Sequence, residues 1–262
     1  MAANIKVTVV TTTYNSMDFL PEAIESIRQQ EFQNYEHIVV NDGSTDETEE
    51  YLNQISDPKV QIFNLPRSGR GVCLNFAISK SKGEYIAILD SDDISSPQRL
   101  KIQTQVLDHN PYIDCLSSDF VLKKDKLMNS FEEYSLSEIT DKHFVKRNPI
   151  SHTTVTLRKN ILLANSNYNE SLEALFDLDL WVRLLISGAS IYELNTALVY
   201  KRLHSKQFFE RRKRFNYLFN TAKLKKKVVD HFSRSLFNYI LIFIIFLYGL
   251  LPSRVRNFLD LR

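Results

Sequence analysis

Three carboxylates, Asp90, Asp92 and Asp93, fall within four residues directly after the apolar run Tyr85–Leu89 in YIAILDSDDISSP. Clustered carboxylates repel one another, and their ionised form is costly unless a cation shares the site. Asp90 and Asp92 are one residue apart where a hydrophobic segment ends, so a turn after Leu89 can aim both at one point. A hard divalent cation, Mn2+ or Mg2+, takes such oxygen ligands and fills the rest of its shell with phosphate and water. The cluster therefore asks for a metal and a phosphate-bearing ligand together. The plainer reading is a solvated acidic turn that caps the next helix, a role that suits Asp93 in particular.

Two more polar stretches follow apolar runs. In NDGSTDET, Gly43 allows a tight turn and Thr45 or Asp46 can cap a helix. That leaves Asp42 at the strand tip, where its carboxylate can accept from a nucleobase imino group. TTTYNS offers Thr12 as a polar contact and Tyr14 as a flat face, with Ser16 open to capping. RSGRG has two glycines that free the loop and puts Arg70 near the mouth, as a phosphate contact or a surface residue. It lacks the third glycine of a dinucleotide fingerprint, and there is no Walker lysine loop.

The elements that must position these groups alternate. Strand-like runs occur at Ile5–Val10, His37–Val40, Val60–Phe63 and Tyr85–Leu89, with helical stretches at Phe19–Gln30, Glu47–Ile55, Gly71–Lys80 and Gln98–His109. Alternation of this kind predicts an α/β fold, a mostly parallel sheet with helices on both faces. Ligands of such sheets bind beyond the carboxyl ends of the strands, where the three polar stretches fall. The second half is more mixed. CLSSDFVLKKDKLMNSF reads as two strands joined at a Lys-rich turn. FDLDLWVRLLIS reads as a helix with Leu178, Trp181, Val182 and Leu185 on one stripe, and YELNTALVYKRLH as a strand with a basic tip.

The 262 residues suffice for one large core, and a net charge of +2 provides no global field for nucleic acid. The two cysteines, Cys73 and Cys115, are distant and apolar in setting, which fits buried reduced thiols. The N-terminus shows no secretory signal pattern. Charge is uneven: Lys201 to Lys227 holds eleven basic residues against Glu210 alone. Sixteen mostly apolar residues, Leu236–Leu251, follow soon after. That is short of the roughly 20 a bilayer span needs. The basic and apolar pieces together predict association with an anionic membrane surface from about residue 205 onward. A short span, a buried helix and an oligomer interface such as a homodimer stay open. The expected units are 1–204, catalytic, and 205–262, a helical membrane-association segment.

The stretch VTVVTTTYNS…FLPEAIESIRQQEFQNYEHIVVNDGSTDET…GEYIAILDSDDISSPQRL resembles family 2 glycosyltransferases, GT-A-fold enzymes with nucleotide-sugar donors. The resemblance covers residues 5 to about 105 strongly and 149–204 more loosely. It implies a Rossmann-like GT-A fold, an inverting metal-dependent transfer and a UDP-type donor. It assigns Thr12, Tyr14 and Asp42 to the nucleobase pocket and Arg70 to base or phosphate. Asp90 goes to the ribose and Asp92 to the metal. LFDLDLWVRL resembles the family's acidic-pair segment with Phe176 where the family has Glu, so Asp177 inherits the general-base role, with Asp179 two residues on. His152 falls on the acceptor side and His204 on the diphosphate or metal. A helix cap for Asp177 and a solvated helix face for Asp179 are the plainer alternatives.

The family and the C-terminal segment together imply a saccharide acceptor, polyprenyl-diphosphate-linked, in surface-polysaccharide synthesis at the cytoplasmic face of the cell membrane. A sugar nucleotidyltransferase and a catalytically silent membrane-bound assembly partner are the competing readings. The first usually carries a glycine-rich loop after its first strand, where TTTYNSMD has none. The second draws on the lost Glu at Phe176.

Overall fold

The structure is a computed structural model that describes residues 5–123, 134–204, 214–252 and 255–256. Its first half runs β1 (Val7–Thr13), α1 (Leu20–Arg28), β2 (Tyr35–Asp42), α2 (Thr48–Asn53), β3 (Val60–Leu65), α3 (Arg70–Lys80) and β4 (Tyr85–Ile88). The chain continues through β5 (Ile94–Ser95), α4 (Arg99–His109), β6 (Cys115–Val121), β7 (Leu136–Glu138) and α5 (Asp141–Lys146). A 3-10 turn (His152–Thr154) precedes β8 (Thr156–Arg158), α6 (Lys159–Ala164), α7 (Phe176–Ile186) and β9 (Ile191–Tyr200). Two helices follow, α8 (Arg214–Phe232) and α9 (Leu236–Leu250).

The expected α/β sheet is present. β1 to β4 are parallel, in spatial order β3-β2-β1-β4, and the sheet continues β8-β6-β9-β5 with β7 on the side of β9. β8 runs antiparallel to both β4 and β6. β1, β2 and β4 are buried along their whole length. Helices on both faces explain why these runs read as continuous Val, Ile and Thr instead of alternating with polar residues. Between β1 and β4 the strand order reverses, and crevices for ligands form at such a point.

Three expectations are refined. β1 extends to Thr13, so Thr11–Thr13 are strand and only Tyr14 onward is loop. Val10 pairs with Ile88, which leaves Thr11–Thr13 overhanging the end of β4. CLSSDFV forms β6, whereas the second strand expected after it lies outside the described residues. At the C-terminus both helices form, but none of the described helices is long and apolar enough to cross a membrane. Leu224 and Val228 of α8 join the main core beside α7, and Val229 and Ile242 pack on Val145 of α5. Buried Lys225 donates to the Lys146 carbonyl, 2.9 Å away, at the end of α5. The hairpin is thus seated on the preceding unit. Both cysteines are free and buried, and burial pushes the Cys73 thiol up to about 11.

Candidate functional site

The acidic cluster is built by a turn. The Asp93 amide donates to the Asp90 carbonyl at 3.1 Å, closing a four-residue turn directly after β4. Carboxylate oxygens of Asp90, Asp92 and Asp93 lie within 4.8 Å of one another. Each acid has a different partner. Asp90 pairs with the Arg70 guanidinium, lies 3.4 Å from His152 Nδ1, and its amide donates to Thr153 Oγ1 at 3.2 Å. Burial works to raise the Asp90 pKa, but Arg70, aided by His152 and Lys201, holds it far below the usual carboxylate range. Asp92 Oδ2 is 2.9 Å from His204 Nε2. Asp93 is buried and accepts the Arg202 amide at 3.0 Å. Burial, with Asp90 and Asp92 beside it, pushes Asp93 up to about 8. Asp93 is therefore not the solvated cap that the sequence allows. It ties the end of β9 to the turn.

The pairing of β5 with β9, Ile94 opposite Tyr200 and Ser95 opposite Val199, carries residues 201–204 to the cluster across more than a hundred positions of chain. His204 then lies against Phe19, ring centroids 4.3 Å apart and tilted by 31°, and Arg202 is fixed by Glu22 at 2.7 Å.

The second pocket lies at the ends of β1 and β2. Asp42 Oδ1 accepts the amides of Ser68 at 2.7 Å and Gly69 at 3.1 Å, and its other oxygen pairs with Arg67. The Arg67 guanidinium lies 3.8 Å above the exposed ring of Tyr14. Thr12 is buried near the end of β1, opposite Val40 of β2. Gly43 takes φ +66° here, and a Cβ on it would stand 2.6 Å from the Arg67 amide. Asn15 bonds Ser44 and Thr45, and Met17 N–H reaches Asp46, so the loops after β1 and β2 brace one another. Asp46 spans these two loops and, as the sequence allows, also accepts the amide of Thr48, the first residue of α2, at 3.1 Å; the residue between them, Glu47, makes no side-chain cap bond.

Arg70, the first residue of α3, is held between the two pockets. Its Nη2 is 3.3 Å from His152 Nδ1, and its guanidinium lies 5.2 Å from the Phe176 ring. His152 itself is buried, with Nε2 2.9 Å from the Tyr168 hydroxyl and its ring edge-on to Phe176 at 5.5 Å. The structure therefore puts His152 behind Asp90 and Arg70, within an aromatic cluster. Phe176 forms one wall of that cluster, and its ring offers Arg70 a π-face where the family's Glu would add a charge.

Asp177, in the first turn of α7, accepts from Asn148 Nδ2 at 3.1 Å and contributes to the field that raises the Arg70 pKa. It does not cap α7; the residue at the cap, Leu175, is left-handed at φ 64° and makes no side-chain cap bond. Asp179 is not on a solvated face: it is buried and bonded to Arg183 Nε at 2.9 Å. Arg183 in turn donates to the carbonyls of Asn165 and Asn167, the latter at 2.7 Å. Asp179 is thereby committed to holding the loop before α7, and Asp177 faces the Arg70 side.

Thr12, Tyr14, Asp42, Arg70, Asp90, Asp92, Asp177 and His204 thus gather around the carboxyl ends of β1, β2 and β4, with His152 beneath. Sequence reasoning missed Arg67, Tyr168 and the structural role of Asp93. Arg67 carries a signal, since it stands three residues before Arg70 in the same Gly-containing loop; Tyr168 carries none. Arg70 Nε and His204 Nδ1 are buried with no hydrogen-bond partner among the described residues. Three mutually repelling acids beside these two orphaned nitrogens fit a divalent cation with an anionic oxygen ligand.

Comparison with known proteins agrees with this geometry. Residues 8–163 match the family model described as glycosyl transferase family 2. An uncharacterized glycosyltransferase of Methanocaldococcus jannaschii is 30% identical over 242 residues, covering 88% of this chain and 83% of its own. Bacillus subtilis EpsE is 29% identical over 269 residues, covering 98% and 94%. Among solved structures, TarS 1–349 of S. aureus in complex with UDP superposes with a TM-score of 0.66 at 21% identity, covering 97% of this chain and 74% of that one. The mannosyltransferase PcManGT of Pyrobaculum calidifontis, in complex with GDP-Man and Mn2+, gives 0.64 at 16% identity, covering 94% and 71%. These likenesses, and a sheet whose polar strand ends converge on one acidic turn, make this chain a member of glycosyltransferase family 2 with the GT-A fold.

Proposed function

We propose that the chain transfers a sugar from a UDP-sugar to a saccharide acceptor with inversion at the anomeric carbon, using Mn2+ or Mg2+. The observation that carries this reading is the convergence of the acidic turn and the Asp42 pocket on one crevice, with Arg70 between them. Tyr14 supplies a face for a base, and Asp42 an acceptor for its imino hydrogen. The S. aureus TarS complexes with UDP and UDP-GlcNAc support a uridine donor on this fold, and the PcManGT complex supports a divalent cation.

Asp92 and His204, with Asp90 and Asp93 adjoining, would hold the cation. When bound it supplies Lewis-acid neutralisation of the departing diphosphate. Arg70 adds a fixed positive charge next to Asp90, whose remaining lone pairs would accept a ribose hydroxyl. Asp177 takes the proton of the acceptor hydroxyl as its oxygen attacks the anomeric carbon from the face opposite the diphosphate. The sugar–phosphate bond breaks and the nucleoside diphosphate leaves with the electron pair. Asn148 orients Asp177, and the braced loops after β1 and β2 hold the donor in line. We extend the proposal to a polyprenyl-diphosphate-linked acceptor in cell-surface polysaccharide assembly at the cytoplasmic face of the membrane, supported by the basic, apolar C-terminal hairpin.

The test is incubation of the purified chain with a panel of nucleotide sugars, Mn2+ and saccharide acceptors, with products read by NMR. Nucleoside diphosphate release and a product of inverted anomeric configuration are expected. Pyrophosphate release from a nucleoside triphosphate and a sugar phosphate would instead assign a nucleotidyltransferase, and consumption of no nucleotide sugar would assign a silent partner.

A further inference from the structure

A helix that is apolar on all sides is stable only when all its sides are covered. α9 has no charged residue along Leu236–Leu250. One side is covered by the protein: Ile242 packs with Val145 and Val229, and Gly249 lies against Leu218 of α8. The other side carries Leu236, Phe237, Ile240, Phe243, Ile244 and Leu247 at helical spacing, all exposed, with Leu236 at 73%, Phe237 at 71% and Phe243 at 59%. The apolar surface continues onto α8. Phe246 packs on Phe215 with centroids 5.8 Å apart, and Phe215 stacks on Phe219 at 6.1 Å. The Lys223 ammonium then sits 5.0 Å above the Phe219 ring, at the edge of this surface. Lys226 and Lys227 are also exposed on α8. The single carboxylate of the two helices, Asp230, is bonded to Lys226 at 2.6 Å and to the Tyr239 hydroxyl at 2.7 Å.

We infer that this face lies flat in the headgroup region of an anionic bilayer, with both helices in the membrane plane. The 15 residues of α9 make about 22 Å of helix, short of the roughly 30 Å hydrocarbon core, so an in-plane seat is the one the length allows. An apolar stripe with a lysine rim and large aromatic side chains matches the make-up of interfacial helices. The charge argues against a second copy of this chain as the occupant. A two-fold pairing through the stripe would add the lysines of both copies to one assembly, with one already paired carboxylate each to oppose them. The inference stands on the hairpin alone and does not depend on the transfer chemistry.

The test uses the full chain and sucrose-loaded vesicles of phosphatidylcholine, with or without about 30% phosphatidylglycerol. The chain is expected to sediment with the anionic vesicles and to partition less as salt rises. Phe237→Asp with Phe243→Asp, both at exposed positions, is expected to weaken partitioning at least about tenfold with an unchanged melting temperature. Lys223→Glu, which leaves the apolar stripe intact, is expected to reduce the preference for anionic lipid. A wild-type chain that stays in the supernatant with phosphatidylglycerol vesicles overturns the inference, as does a Phe variant that sediments like the wild type. Light scattering without lipid that finds a wild-type dimer, and a monomer for the Phe variant, would give the face to a second copy and equally overturn it.

Discussion

Asp177→Asn separates chemistry from architecture at this site. The substitution keeps the size of the side chain and its position in the first turn of α7, and removes one negative charge. Its carboxylate accepts the 3.1 Å bond from Asn148, which an amide oxygen also accepts. The structural cost is therefore limited to losing a favourable charge at a helix N-terminus, about 0.3–1 kcal/mol. For a chain of this size that lowers the melting temperature by no more than about 4 °C. A general base, by contrast, contributes about 10²–10⁴ in rate, or roughly 3–5 kcal/mol of barrier. The variant should fold, bind UDP with Mn2+ within about twofold of wild type, and lose at least about 99% of its turnover. The neighbouring Asp179→Asn should do the reverse. It breaks a buried 2.9 Å bond to Arg183, whose guanidinium holds the Asn165 and Asn167 carbonyls. Leaving those groups poorly matched costs about 1–3 kcal/mol, seen as a melting temperature lowered by several degrees. The assay is steady-state release of UDP in the presence of acceptor, run well below both melting temperatures. Turnover above one-tenth of wild type in Asp177→Asn, or a stable but inactive Asp179→Asn, would refute the assignment of the base.

Three further outcomes follow from the geometry. Arg67 stacks on Tyr14 and pairs with Asp42, so a base must displace it at a cost of about 1–2 kcal/mol; Arg67→Ala should tighten UDP binding about five- to thirtyfold, and weaker binding by calorimetry would show that Arg67 contacts the nucleotide instead. Asp93 is raised to about 8 in the fold against 3.8 unfolded, so without metal its contribution to stability is complete below pH 4 and is lost as the unfolded carboxyl ionises between about pH 4 and pH 8. Over that window Asp93→Asn should gain at least about 3 °C in melting temperature on the wild type, and a flat difference would mean Asp93 is ionised in the native state. Gly43→Ala forces a Cβ to 2.6 Å from the Arg67 amide at φ +66°, so it should destabilise by about 1–3 kcal/mol in urea unfolding and weaken UDP binding.

The sheet was legible because its strands are buried on both faces. Val7, Val9, Val10, Ile38–Val40 and Ile86–Leu89 had to be apolar, and the polar residues that ended those runs marked the crevice. The acidic turn was legible for the same reason, since Asp90 and Asp92 adjoin a fully buried strand. Long-range pairing was not. Nothing local in the sequence says that Ile94 meets Tyr200, yet this pairing is what carries His204 to Asp92 and the Arg202 amide to Asp93. The burial of His152 was not legible for a related reason: Tyr168, Phe176 and Trp181, which close around it, come from later in the chain. Asp179 read as a surface acid because the periodicity of α7 does not show that the loop before it needs a charged anchor.

A divalent cation and a diphosphate together should complete the acidic turn in this crevice. Calorimetric titration of UDP into the metal-free chain, with and without saturating Mn2+, tests this most directly. Affinity at least about tenfold higher with Mn2+, a difference of about 1.4 kcal/mol, and loss of that gain in Asp92→Ala are expected. Equal affinity with and without the metal, or a gain that survives Asp92→Ala, would contradict it.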